Sequence, residues 1–141
     1  KAAFCAGRAF TRGSVGYVHA VGHALGGMYN CPHGQSMSIL LPHVMRRYGS
    51  AAYCKLAELC DVCGIQSADD SQASKAEAFL TWIEQLKAKM NIPVYLPILE
   101  EKDIEQLAAW AYKEGHLLYP TPTVWSKQDF IEFLHVMKNK T

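Results

Sequence analysis

An all-α domain is the architecture these 141 residues predict. Apolar side chains recur at helical spacing in one segment after another, and no run of alternating residues is bounded by hairpin turns. Polar, glycine- or proline-containing stretches separate the periodic segments. The expectation is a single helical bundle over residues 1–141, long enough to bury about two-thirds of its unfolded surface.

The opening KAAFCAGRAF reads as a buried helix of small residues. It has no Ser, Thr, Asp or Asn cap ahead of it, no initiator methionine and no signal peptide, so residue 1 is expected to be a cut point inside a longer protein. TRGSVG predicts a short turn. Residues 15–26 are apolar on nearly every side, which predicts a helix inside the domain, ended by Gly26 and Gly27. MYNCP is a brief loop. His33 to Tyr48 resumes as helix, bent where Pro42 removes a backbone donor. A further helix spans about Ser50 to Cys63 and is closed by Gly64.

IQSADDSQAS is a polar surface loop. Ser74 and Glu77 form an S-x-x-E capping box that opens a helix running to about Met90, with Phe79, Ile83, Leu86 and Met90 as its core stripe. NIPVYLPIL is an extended, proline-broken connector. From about Glu100 to Lys113 a helix turns Ile104, Leu107, Ala108 and Ala111 inward. HLLYPTPTVW is extended again. Ser126 caps the last helix with Asp129 at its third position, Trp125 and Phe130 close a hydrophobic staple, and Phe130, Phe133, Leu134 and Met137 form the buried face.

Composition excludes several functions. Half the residues are hydrophobic and 19% charged, the balance of a soluble globular chain and not of a disordered one. Apolar runs stop well short of the ~18 residues of a membrane span. With a net charge of +1 and no basic cluster, phosphate neutralisation has no footing, so neither nucleic acid nor membrane is an expected partner. Five cysteines, an odd number, with no secretory segment predict free thiols and a cytoplasmic location. Cys60 and Cys63 make a C-x-x-C, but both fall on the apolar stripe of Tyr53, Leu56 and Ala57, which predicts two buried, inert sulfurs.

Three of the six histidines lie within fifteen positions, in GYVHAVGHALGGMYNCPHG. His19 and His23 are four apart, so both rings leave one helix face about 6 Å apart at Cβ. A short loop can fold His33 back toward them, and Gly22, Gly26 and Gly27 permit the close backbone approach of a tight site. Two readings stay open on the pattern alone: a divalent metal site, or buried imidazoles with hydrogen-bond partners. The metalloprotease pattern fails because Ala20 stands where its glutamate belongs. No Asp or Glu occurs before Glu58, so a carboxylate ligand would come from outside this segment. His43, His116 and His135, each alone, read as surface or capped imidazoles.

AGRAFTRGSVGYVHAVGHALGGMYNCPHGQSMSILLPHVMRRY resembles the metal-binding stretch of the iron-dependent, or group III, alcohol dehydrogenases. The resemblance rests on the H-x3-H-x9-H spacing, the turn GMYNCPHG and the following LLPHVM. It continues more weakly to LLYPTPTVWS before the last helix. It implies the C-terminal helical metal-binding domain of that family over residues 1–141, with an α/β dinucleotide-binding domain preceding residue 1. His19 and His33 would be two of four protein ligands of Fe(II) or Zn(II). His23 would lie beside the metal, near the nicotinamide and substrate, either supporting a ligand or handling a proton, and Phe10 near the substrate pocket. The remaining ligands, an aspartate and a histidine, and the NAD(P) site would lie before residue 1, so no residue here is assigned to the dinucleotide.

The activity implied is interconversion of a small alcohol with its aldehyde or ketone by hydride transfer with NAD(P), carried by the full-length protein and not by this portion alone. A homo-oligomer is left open. The rivals are a glycerol dehydrogenase or dehydroquinate synthase relative, and a non-catalytic helical module whose histidines are structural.

Overall fold

The computed structural model describes residues 1–138. Seven α-helices and one 3₁₀ turn account for its regular structure: α1 Ala2–Gly13, α2 Tyr17–Tyr29, α3 His33–Tyr48, α4 Ser50–Val62, α5 Gln72–Lys89, the 3₁₀ turn Glu101–Asp103, α6 Ile104–Gly115 and α7 Lys127–Lys138. No strand occurs among the described residues, as the lack of alternating runs requires. No helix is long and apolar enough to cross a membrane among them.

The chain packs as adjoining helix pairs. α4 lies along α5, α2 is held between α3 and α6, and α7 packs on α6. Tyr17 of α2, Trp125 ahead of α7 and Phe130 within it meet at ring separations of 4.9–5.1 Å. The Trp125 amide donates to the Tyr17 hydroxyl (3.1 Å), which satisfies the polar end of that ring inside the core. The predicted inward residues of α6 and α7 are all buried. At the start of α7 the Ser126 amide donates to Asp129 Oδ2 (2.8 Å) and the Asp129 amide to Ser126 Oγ (3.2 Å), the reciprocal box its sequence predicts.

Several expectations are corrected. α1 runs on through Thr11–Gly13 and buries no residue; Phe4 and Phe10 are both exposed. Its small-residue pattern satisfies helix geometry, but no partner helix covers it. α2 passes through Gly26 and Gly27 and stops at Asn30, which takes the left-handed conformation (φ 53°) and returns its amide to the Gly26 carbonyl. Glycines at 26 and 27 weaken a helix without stopping it, since α2 is fastened by its buried residues.

At α5 the cap is Ser71, whose side chain accepts from the Ser74 amide (3.1 Å), so the helix starts ahead of the predicted box. Glu77 is instead taken by Arg46 of α3, which also holds Glu84. The buried stripe is Ala76, Phe79, Leu80 and Lys87, with Leu86 and Met90 exposed. Ile83 is half-buried between them. Cys63, the C-cap of α4, is exposed, because the chain turns there before left-handed Gly64 (φ 65°) and leaves the stripe. Cys60 stays fully buried with its thiol directed at the Ile65 carbonyl.

α3 continues unbroken past Pro42 and presents His43 to the connector between α5 and α6, where Nε2 donates to the Val94 carbonyl (3.0 Å). Burial pushes this imidazole below its ordinary range; Lys87 and Arg46 act the same way, while the Val94 carbonyl and Glu84 oppose them. Unfolded, the ring takes up a proton near pH 6.5, so below that value the unfolded chain binds more protons than the folded one. The contribution is full above pH 6.5 and drains away as pH falls below it. The thermal midpoint is therefore expected to drop between pH 7 and 5, and less steeply in His43→Gln; identical slopes for the two proteins would contradict this account.

Candidate metal centre

α2 lays its buried face, Tyr17, Val18, Ala20, Val21, Gly22, Ala24 and Leu25, against the bundle. That register turns His19 and His23 to the other side, one turn apart. Asn30, Cys31 and Pro32 then reverse the chain, and α3 begins at His33. The Ser36 amide donates to the Pro32 carbonyl, fixing the first turn of α3 and with it the histidine. The three imidazoles form a near-equilateral triangle, with ring centroids 5.7 Å (His19–His23), 5.5 Å (His19–His33) and 5.4 Å (His23–His33) apart.

Gly22 makes room for a side chain of α3 at this crossing. A Cβ there would run into the Met37 Cε, so the end of that thioether occupies the space over the glycine. Gly26 and Gly27, read from the sequence as serving the same end, meet nothing closer than ordinary van der Waals contact.

Burial lowers the His19 pKa, and its neighbours His23 and His33 add to the effect. The lowered value favours the neutral ring, the form that binds metal. His23 is half-exposed and pairs through Nδ1 with Glu114 Oε1 at 2.7 Å. The same oxygen accepts the Tyr119 hydroxyl (2.6 Å). Glu114 and Tyr119 lie on and just after α6, more than ninety residues along the chain from His23. Nothing local marks them in the sequence, and they escaped the sequence reading for that reason.

Gly115 explains how Glu114 reaches α2: a Cβ there would stand 3.0 Å from the Tyr17 ring and 3.2 Å from the Ala20 Cβ. Leu117 takes the left-handed conformation (φ 59°), uncommon for a branched side chain, and turns the segment back so that Tyr119 meets Glu114. Burial, then the Glu114 carboxylate, pushes the Tyr119 hydroxyl up to about 12, so it remains a donor at neutral pH.

Next to His19 opens a largely apolar cavity of about 500 Å³, lined among others by Val15, Met37, Leu41, Met45 and Pro120. Phe10 does not border it; that side chain lines a separate depression formed by α1 itself. The other histidines stay apart. His43 is held by Val94, His135 lies near Glu101, and His116 stacks on Tyr112 with its Nδ1 buried and unpartnered.

The donor chemistry of His19 and His33 fits a borderline divalent cation such as Fe(II) or Zn(II). Among the described residues no group of three His, Cys, Asp or Glu side chains is gathered closely enough to hold an ion by itself. Two imidazoles are a partial shell and need ligands from elsewhere.

The sequence model of the Fe-containing alcohol dehydrogenase family, C-terminal, matches residues 1–137. The chain is 38% identical over 117 residues to 1,3-propanediol dehydrogenase of Citrobacter freundii, a match covering 82% of this chain and 30% of that protein. It is 31% identical over 135 residues to the NAD-dependent methanol dehydrogenase of Bacillus methanolicus, covering 94% and 35%. Alcohol dehydrogenase from Oenococcus oeni superposes with a TM-score of 0.83 at 30% identity, over 94% of this chain and 35% of that one. The chain thus spans about a third of the length of these relatives.

Proposed function

Because the chain belongs to the Fe-containing alcohol dehydrogenase family, as its C-terminal part, we propose that it supplies half of a metal site in an enzyme that interconverts small alcohols with aldehydes or ketones using NAD(P). The observation that carries this reading is the triangle of His19, His23 and His33, three imidazoles converging from two helices onto one side of the bundle.

In this reading His19 and His33 hold a divalent cation together with an aspartate and a histidine from sequence outside these 141 residues. The cation, when bound, supplies Lewis-acid polarisation of the substrate oxygen. His23, held through Nδ1, leaves Nε2 to exchange the proton that the alcohol loses or the carbonyl gains. The apolar cavity beside His19 excludes water and takes the carbon chain of the substrate. Phe10 is assigned to the substrate on the sequence resemblance alone. The dinucleotide and its binding domain are assigned to the part of the protein outside this chain, and oligomeric assembly and a cytoplasmic location belong to the same proposal.

The test uses the full-length protein, stripped of metal and reloaded with Fe(II) or Zn(II), with NADH and NADPH oxidation followed against a panel of short aldehydes. Turnover that depends on the added metal is the expected result and identifies both ion and dinucleotide. Silence with every aldehyde while metal is retained would overturn the reading and favour a dehydroquinate synthase-like lyase.

A further inference from the structure

The carboxylate of Glu114 has two partners, and both bear on the histidine triangle. Its Oε1 lies 2.7 Å from His23 Nδ1 and 2.6 Å from the Tyr119 hydroxyl oxygen. A carboxylate accepts and cannot donate, so the contact places a hydrogen on Nδ1. In a neutral imidazole the lone pair then falls on Nε2. Tyr119, donating to the same oxygen, orients the carboxylate, and its own placement follows from the left-handed turn at Leu117. A surface ion pair would need none of this: exposed pairs contribute little, and they do not call for a second donor on the shared oxygen or a strained turn to deliver it.

We infer that Glu114 and Tyr119 are positioning residues for His23: the carboxylate fixes the Nδ1–H tautomer and the ring orientation, so that Nε2 is the atom that exchanges a proton with the substrate oxygen. The proton balance is closed. In alcohol oxidation Nε2 would take the hydroxyl proton, with NAD(P) bound outside this chain serving as hydride acceptor; in reduction Nε2 would return a proton to the carbonyl oxygen, with NAD(P)H as the hydride donor. The Glu114 carboxylate keeps its hydrogen bond to Nδ1–H and stabilises the imidazolium that forms. Tyr119 touches neither substrate nor ring and acts through Glu114. The inference rests on the proposed role of His23 as the proton-handling group.

The experiment is a double-mutant cycle in the full-length, metal-loaded protein. Glu114→Ala is expected to lower kcat by about 10- to 100-fold, the range for removing the carboxylate partner of an active-site histidine, with metal content and the KM for the dinucleotide unchanged. Glu114→Asp restores part of the loss, and Tyr119→Phe costs less than Glu114→Ala. In the His23→Ala background, Glu114→Ala adds nothing further, because residues acting as a unit are not additive. Nitrogen-15 shifts of the His23 ring report the Nδ1–H tautomer directly and are expected to move toward the mixed value in Glu114→Ala. Should Glu114→Ala fail to fold, the isosteric Glu114→Gln carries the same cycle. If His23→Ala slows turnover and the Glu114 variants do not, or if the two losses simply multiply, the positioning role is wrong. If His23→Ala leaves turnover intact, the role of His23 itself is overturned first.

Discussion

His33→Ala in the full-length protein is expected to remove the bound metal and the activity together, and His19→Ala to do the same. His23→Ala should keep the metal and slow turnover. The contrast follows from position. His19 and His33 sit on different helices, whereas Glu114 already occupies Nδ1 of His23. Loss of one imidazole from a shell completed elsewhere weakens the hold on the cation, so the cation is lost. Since its polarisation of the substrate oxygen supplies several kcal/mol, turnover should fall by about a thousandfold or more. Metal analysis after gel filtration, run beside steady-state kinetics, reads both quantities on one sample. An empty site in His23→Ala with a full one in His33→Ala would reverse the assignment of the two residues.

Phe130→Ala is the substitution expected to cost the fold most. The ring is fully buried, 5.0 Å from Tyr17 and 5.1 Å from Trp125, and reaches Tyr112 edge-on at 6.5 Å. Truncation of a phenylalanine in such a setting destabilises by about 3–5 kcal/mol, through lost burial and the cavity left behind. Against a total of about 5–15 kcal/mol this is a large share, and the thermal midpoint should fall by about 10 °C or more. Phe130→Leu, which keeps most of the volume, should cost less than half as much. Because Tyr17 opens the helix that carries His19, metal affinity is expected to weaken in Phe130→Ala before the fold is lost. A midpoint within 2 °C of the unsubstituted protein, a margin set by about 1 kcal/mol, would show that the aromatic group is not the core of the bundle.

How much of this was legible in the sequence depended on how local the cause was. The inward faces of α6 and α7 and the Ser126–Asp129 box are set by residues three or four apart, and a reading of spacing finds them. The histidine triangle was legible because a tight turn links α2 to α3, which leaves the three rings few ways to spread. α5 was misjudged because Glu77, a fitting partner for Ser74, meets Arg46 from another helix, and Ser71 makes the better cap. Lys87 lies on the buried stripe with its ammonium directed at the Ile39 carbonyl, a placement no hydropathy pattern suggests. Small residues make α1 read as a buried helix, but whether anything covers it is a tertiary fact. Glu114 is the sharpest case: a glutamate near a helix end is unremarkable until α6 is laid against α2.

Met37 stands at the crossing of α2 and α3 and also walls the cavity beside His19. The nearest atoms a methyl group at position 22 would meet belong to side chains, first of all the flexible thioether end of Met37. Clearance over residue 22 and, in the proposed function, room for a substrate tail therefore draw on one and the same side chain. Any redesign of chain-length preference that trims Met37 also relieves the demand for glycine at 22. One that enlarges residue 22 without trimming Met37 displaces the methyl end of that side chain. The two positions make up one dial for selectivity and should be varied as a pair.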